Sequence, residues 1–422
     1  MLKALKGTRD ILPGETEAWQ DIESSARHIF SIYGYKEIRT PIMEEASLFI
    51  RSIGGCTDIV QKEMYVFTDR GNRNIALRPE GTASIVRAYL ENYTGQSPRL
   101  KKFFYVGPMF RAERPQKGRQ RQFHQLGVEL IGSGEPFRDA EVISLAVKFL
   151  DEIGIDKADV NLKINSLGCH KDKAGAMEQY RKDIKPFLKS LCEECNSRYD
   201  KNVLRIFDCK NPACGEAIKK IDMKSLLCAD CGAHFESVKK RLDEMGIKYT
   251  VDPKIVRGLD YYTKTVFEIT HKKLGAQDAI CAGGRYNNLI KEMGGKDTPA
   301  IGFAFGIERL ILANEGEPPY DDGKELDLFI VTTGDSLRKE AFGLLGFLRD
   351  GGISCDVYFE KNDMRGQMTE AQRQGARRVI IMGEDELKRN RLLLKDMDTG
   401  AQEEVDYDKD ALLARVKKEK KT

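Results

Sequence analysis

Two incompatible rhythms meet at Asn314 to Glu325, where the run NEGEPPYDDGKE is dense in glycine, proline and aspartate. Such a run continues neither a helix nor a strand and reads as a linker. Before it come short strand-like runs (MYVFTD, NIALRPE, KKFFYVGPMF, HQLGVELIG) separated by short turns. Parallel strands need long crossovers, so this spacing favours an antiparallel sheet. After it, LDLFIVTT, ISCDVYF and RRVIIMG alternate with two helical stretches, one ending near Arg349 and one spanning roughly Met364 to Gly375. Strand-helix alternation implies right-handed crossovers and a small, largely parallel sheet. The 422 residues thus read as an α+β chain. One domain covers about 1–320, the linker is 314–325, and a smaller α/β domain covers 326–422.

Within the first domain, Trp19, Ile22, Ala26, Ile29, Phe30 and Tyr33 recur at helical spacing, with Gly34 placed to end the helix. Further helices are expected over Thr82 to Asn92 and Arg138 to Ile153. The texture changes from about Cys169 to Ile247, which is Lys-rich and helical in pattern, and reads as an insertion (169–247). After Cys169 at its start, six more cysteines follow one another there: Cys192, Cys195, Cys209, Cys214, Cys228 and Cys231.

Hydrophobic residues make up 41% and charged residues 32%, enough apolar side chain for a core under a charged surface, which argues against a disordered or collagenous chain. The longest run free of charge, Thr298 to Ile307, falls far short of a bilayer span. The start, MLKALKGTRD, has no apolar segment followed by a small-residue cleavage site. A cytoplasmic enzyme without a membrane partner is the expected class. A net charge of +3 does not exclude nucleic acid, because phosphate binding needs local positive patches. RAERPQKGRQR, Arg111 to Arg121, with five basic residues and one acidic, is a candidate for such a patch, although composition alone favours a solvated loop.

No GxxxxGK[ST], HExxH or GxSxG motif occurs, which removes Walker-type, zincin and hydrolase-elbow chemistry. What stands out is a set of arginines in apolar or glycine-rich strand contexts: Arg111, Arg257, Arg285 and Arg309. A guanidinium is costly to bury unless it grips a carboxylate or phosphate. Any one of the four is explained by a structural ion pair; four together point to a polyanionic substrate such as ATP. Gly258, Gly283, Gly284, Gly302 and Gly306 lie beside them, and glycine in a strand marks a bulge or the close approach of a ligand or another backbone.

These residues carry a family resemblance. FRAERPQKGRQRQFHQLGVE resembles motif 2 of the class II aminoacyl-tRNA synthetases and GFAFGIERL their motif 3. RGLDYYTKTVFE and AGGRYNNL resemble the two signature peptides of the histidyl-tRNA synthetases; KGTRDILP, IRTPIME (motif 1) and LRPEGTA agree. The resemblance implies a class II antiparallel sheet flanked by helices, a C-terminal anticodon-binding domain, and a homodimer formed partly through motif 1. It also implies ATP-dependent, Mg²⁺-assisted activation of L-histidine to histidyl-adenylate and transfer to histidine tRNA.

Site roles follow from the same resemblance. Arg111 would hold the α-phosphate and the substrate carboxylate, Arg309 the γ-phosphate, and Arg257 would be the catalytic cation at the α-phosphate. Glu129, Tyr261 and Tyr262 would grip the imidazole. Glu80, Gly81 and Thr82 would meet the ammonium, and Gln125 would complete the amino-acid contacts. Arg114, Gln116, Lys117 and Arg119 become candidates for the tRNA acceptor end, where Arg and Gln suit base edges. His124 lies beside them with no catalytic role assigned.

The cysteines stand apart, because the resemblance requires no metal there. Cys192/Cys195 and Cys228/Cys231 are CxxC pairs, the spacing of zinc knuckles, though the gap between the pairs exceeds that of compact ribbons. A structural zinc on those four is one reading and reduced thiols the other. Disulfides do not fit a reducing cytosol. Two other functions compete: a catalytically inactive paralogue serving as regulatory subunit of ATP phosphoribosyltransferase, and a zinc-dependent nucleic-acid adaptor. The first has no evident use for the intact VRGLDYY peptide or the C-terminal domain, and the second leaves the arginines unexplained.

Overall fold

The computed structural model describes residues 2–55, 57–93, 100–201, 203–207, 209, 211–221, 226–255, 259–314, 326–360 and 363–419. It forms two compact units, Met1–Pro318 and Pro319–Thr422. Of the residues singled out in the sequence, Arg257 and Gly258 lie outside the described residues, as does the linker beyond Asn314.

The strands of the first unit are β1 (Lys36–Glu37), β2 (Met43–Glu45), β3 (Val66–Thr68), β4 (Asn74–Leu77), β5 (Lys101–Phe110), β6 (Gln122–Ile131), β7 (Val160–Ser166), β8 (Thr250–Val251), β9 (Thr263–His271), β10 (Ala279–Arg285) and β11 (Ala300–Gly306). β2, β4 and β3 make a small antiparallel sheet. The others form one large sheet in the order β1-β5-β6-β11-β10-β9-β7-β8. Its six central strands are all antiparallel neighbours, and the two-residue strands β1 and β8 cap the edges in parallel.

Strand alternation sorts the two faces. On β6, Leu126, Val128 and Leu130 enter a core with Ile301, Phe303 and Phe305 of β11. Helices Thr16–Ile32 and Pro136–Glu152 cover that face, the first through the periodic set Trp19, Ile22, Ala26, Ile29 and Phe30. Gly34 ends the first helix at φ +80°, a conformation open to glycine. The intervening residues Gln125, Gly127 and Glu129 of β6, with Gly302, Ala304 and Gly306 of β11, point to the opposite face.

The stretch 169–247 is not uniform. Helices His170–Ile184, Glu193–Lys201 and Pro212–Ile218 gather around a separate small core that includes Tyr180, Leu191, Cys195, Val203 and Cys214. Helix Ala229–Glu244 instead sends Phe235, Val238 and Leu242 into the main core. Only the earlier part is a separate lobe.

In the second unit, β12 (Leu328–Thr332), β13 (Cys355–Val357), β14 (Arg378–Met382), β15 (Arg391–Asp396) and β16 (Gln402–Asp406) are ordered β13-β12-β14-β15-β16. β13, β12 and β14 are parallel, with helices Arg338–Asp350 and Met364–Arg373 in the crossovers. β15 and β16 are antiparallel, so the sheet is mixed rather than largely parallel. The reason is local: residues 383–390 are too few for a crossover, and MDTGA makes a tight turn with Gly400 at φ +72°. Among the described residues no helix is long and apolar enough to cross a membrane.

Candidate active site

The polar face of the large sheet opens into a cavity lined by Glu80, Thr82, Arg111, Arg119, Gln125, Glu129, Tyr261, Tyr262, Glu268 and Arg309, among others. Residues from five separate stretches of sequence converge there. The peptide Pro79–Thr82 is fixed by Arg78, which donates to the carbonyls of Pro108 (2.9 Å) and Thr40 (3.0 Å). Glu80 accepts from the backbone N–H of Thr82 (2.6 Å) and Ala83 (2.9 Å), at the head of helix Thr82–Tyr93. Its carboxylate therefore satisfies helix donors that would otherwise be orphaned. Burial raises its pKa, and these backbone bonds pull it back.

Thr82 is the first residue of that helix, and its side chain reaches across to β6. Its hydroxyl donates to Glu129 Oε1 at 2.6 Å. The other oxygen of Glu129 accepts from the hydroxyl of Tyr286. Glu129 is buried, and the loss of solvent pushes its carboxyl up to about 8. Tyr105, Tyr261 and Tyr286 are buried around it with phenol pKa values raised by burial. Tyr261 stacks at a tilt on Tyr262 (4.7 Å between centroids) and edge-on to Tyr286 (5.7 Å). Gln125 Oε1 is buried with no hydrogen-bond partner among the described residues. An unpaired buried acceptor is costly and marks a place where a donor is wanted.

The glycines make this pocket possible. Gly302 stands directly opposite Glu129 on β6 and Gly284 on β10. A Cβ at Gly302 would collide with Glu129 Oε2 and the Val128 carbonyl; one at Gly283 would lie 2.5 Å from the Gly302 carbonyl. A Cβ at Gly81 would meet the Tyr105 ring, with its Cζ at 2.5 Å. Here the close approach is of side chain and backbone within the protein. Gly306 differs, since a Cβ there would meet only Arg309 Cδ, at 4.0 Å.

At the other end, Arg111 donates through Nε to the Pro79 carbonyl (2.9 Å) and lies over the Phe123 ring. Arg309 donates to the carbonyls of Gly118 (2.9 Å) and Ala279 (2.6 Å). Arg119 contacts Glu113, which also sits 3.8 Å from Arg111. Burial lowers the pKa of all three guanidiniums. Arg309 is lowered further by Arg119 and Arg111, and Arg119 by Arg111. Three cations that destabilise one another across a shared space form a site for an anion of several charges.

The structure thus brings together Glu80, Gly81, Thr82, Arg111, Gln125, Glu129, Tyr261, Tyr262 and Arg309. It separates the four acceptor-end candidates: Arg119 lines the cavity, whereas Arg114, Gln116 and Lys117 are exposed on a hairpin whose tip is closed by reciprocal backbone bonds between Gln116 and Arg119. Arg285 is a different matter. It is wholly buried, ion-paired to Asp139 and bonded to the carbonyls of Ser133 and Glu135 (2.9 Å each), and Asp139 also meets His234 Nε2 at 2.8 Å. It is a structural ion pair, not a fourth substrate arginine, because its carboxylate partner comes from within the fold. His124 is held by both oxygens of Glu308 and edge-on to Trp19. Tyr105, Tyr286 and Glu268 escaped the sequence reading. Tyr286 adjoins Arg285 in AGGRYNN and was within reach, while nothing local marks Tyr105.

The zinc set read from the sequence does not assemble. Cys192 and Cys195 group with Cys209 and Cys214, while Cys228 and Cys231 group with Cys169 and Asp172. The two CxxC pairs begin different helices, Glu193–Lys201 and Ala229–Glu244, which pack in different cores.

Residues 7–310 match the family model described as Histidyl-tRNA synthetase, and residues 327–419 match one described as Anticodon binding domain. The Histidine--tRNA ligase of Halothermothrix orenii is 50% identical over 412 residues, covering 96% of both chains. The S. aureus histidyl-tRNA synthetase crystal structure superposes with a TM-score of 0.81 at 38% identity, over 99% of this chain and 100% of that one. A Bacillus halodurans structure titled as an ATP phosphoribosyltransferase regulatory subunit/histidyl-tRNA synthetase has a TM-score of 0.65, but at 23% identity over 91% of this chain and 98% of that one it speaks to the fold alone. With full-length relatives at such identity carrying the ligase name, the regulatory reading is not favoured, and the chain belongs to the histidyl-tRNA synthetase family.

Proposed function

We propose that the cavity activates L-histidine with ATP and that the chain passes the histidyl group to histidine tRNA. The observation that carries this is the pairing, within one cavity, of a buried carboxyl pocket (Glu80, Glu129) with three mutually destabilising guanidiniums (Arg111, Arg119, Arg309). One end suits a small cationic ligand and the other a polyphosphate.

Glu129, oriented by Thr82 and Tyr286, would hydrogen-bond an imidazole nitrogen, with Tyr262 and Tyr261 walling the ring. Glu80, already polarised by two helix N–H groups, would accept from the ammonium beside Gly81 and Thr82, and Gln125 Oε1 would accept a further substrate N–H. A site with buried polar groups on both ends rejects analogues that leave one unpaired. Arg111 would hold the histidine carboxylate against the α-phosphate, and Arg309 with Arg119 would hold the outer phosphates. The histidine carboxylate attacks phosphorus in line, and pyrophosphate leaves. That chemistry needs positioning and charge neutralisation rather than a proton relay, which fixed guanidiniums provide without reorganising. Arg257 keeps the role of α-phosphate cation by resemblance.

Mg²⁺, which neutralises phosphate charge when bound, takes oxygen ligands, and the cavity offers Glu268 on the arginine side. Arg114, Gln116 and Lys117, projecting from the hairpin beside the cavity, suit the tRNA acceptor end. A homodimer joined partly through motif 1 and a cytoplasmic location complete the reading. The test is ATP–pyrophosphate exchange with each amino acid in turn. Exchange dependent on histidine is expected, and equal exchange with another amino acid, or none, overturns the assignment.

A further inference from the structure

Seven cysteines lie between Cys169 and Cys231, and the fold sorts them with one carboxylate into two four-ligand groups. Cys192, Cys195, Cys209 and Cys214 form the first; Cys169, Asp172, Cys228 and Cys231 form the second. In each, all four donor atoms lie within 4.8 Å of one another. A tetrahedral zinc with bonds of about 2.3 Å places its sulfurs roughly 3.8 Å apart. Cys192 Sγ and Cys209 Sγ stand 3.9 Å apart, and all the described cysteines are free thiols. The second group has its carboxylate pre-oriented, since Asp172 accepts from the backbone N–H of Cys169 (3.1 Å) and Cys228 (3.2 Å).

The lobe around the first group also needs a staple. Its helices Glu193–Lys201 and Pro212–Ile218 are short, and two of the ten buried residues described in its core are Cys195 and Cys214 themselves. Small cores of this kind are usually completed by a metal or cross-link.

Both groups are tied to the active site through the segments around them. Lys173, next to Asp172, donates to the carbonyls of Asp260 (3.0 Å) and Tyr262 (2.9 Å), fixing the peptide that presents the two tyrosines. From the first group, helix Glu193–Lys201 reaches Asp58 through Arg198 (2.9 Å) and Lys62 through Glu194 (3.5 Å). The neighbouring Glu63 carbonyl accepts from Ala112 N (2.7 Å), the residue after Arg111. We infer that this chain carries two zinc sites, a tetracysteine site and a Cys₃Asp site, which brace the histidine pocket and the Arg111 strand end from outside. The two metal sites stand independently of the function proposed above, and only their bracing of a histidine pocket rests on it.

Metal analysis of the full chain, reconstituted with zinc under thiol reductant, is expected to give two zinc ions per chain. Cys195→Ser and Cys231→Ser should each keep one, and the double variant none. Because a serine variant risks misfolding the lobe, the wild-type chain is also titrated with cobalt. Two equivalents should bind, with thiolate-to-cobalt charge-transfer absorption from both. Uptake of one equivalent or none, or loss of both metals from either single variant, overturns the two-site assignment. Chelator removal of both ions should raise the histidine KM by roughly an order of magnitude, more than the ATP KM. An unchanged histidine KM in the metal-free chain overturns the bracing.

Discussion

Glu129 and Gly302 face each other across two strands, and what each can be is set by the other. A methyl group at 302 meets both the Glu129 carboxyl and the Val128 backbone, and backbone cannot step aside cheaply. Gly302→Ala should therefore cost about 1–3 kcal/mol in stability and raise the histidine KM, measured by thermal denaturation and pyrophosphate exchange. The Glu129 carboxyl itself reports the burial. Raised from the ordinary 4.5 to about 8, it keeps in the folded chain a proton that the unfolded chain releases. Between those values the native state binds more protons, so its contribution to stability is lost as pH rises through about 8. The gap in Tm between wild type and Glu129→Gln should accordingly shift in favour of the variant from pH 5 to pH 8; a gap constant with pH would refute the buried neutral carboxyl. Arg257, in the intact VRGLDYY peptide, carries a kinetic prediction. Arg257→Ala should lose at least about two orders of magnitude in adenylation, about 3 kcal/mol of transition-state stabilisation, read by pyrophosphate exchange. Near-normal exchange would remove its role.

At the scale of elements, the buried Arg285–Asp139–His234 cluster binds β10, helix Pro136–Glu152 and helix Ala229–Glu244 together. Its charges are out of solvent, so removing the central carboxylate leaves a guanidinium uncompensated. Asp139→Asn should cost about 3–5 kcal/mol, seen as a lower denaturant midpoint, with the cavity residues themselves untouched. The same cluster explains where the sequence was legible and where it was not. Helix Thr16–Ile32 was readable because its core contacts repeat every third or fourth residue. Arg111 and Arg309 were readable because motifs hold them in fixed local strings. Arg285 looked alike, since an arginine among glycines has one appearance whether its carboxylate is a ligand or Asp139, which lies far away in the chain. The cysteines misled for the same reason: a CxxC pair specifies half of a site, and the partner half is chosen by packing.

At the scale of the molecule, each unit buries its own apolar residues. The cores containing Phe303, Tyr286, Val203 and Phe49 draw only on residues of the first unit, and those containing Leu344 and Val379 only on the second. The cavity, too, takes every lining residue from between Glu80 and Arg309. On the proposed function, adenylation would draw on the first unit, which lines the cavity, and tRNA selection on the second, which matches the anticodon-binding family. A chain ending at residue 318 should fold and keep histidine-dependent pyrophosphate exchange within about threefold of the full chain, since units with their own core fold alone. It should lose at least roughly two orders of magnitude in kcat/KM for charging tRNA, because the contacts that separate one tRNA from another outweigh non-specific phosphate binding by more than that. Exchange lost in parallel with charging would mean that the anticodon-binding domain is needed to form the cavity, and charging retained would mean that the hairpin of Arg114, Gln116 and Lys117 suffices for tRNA choice.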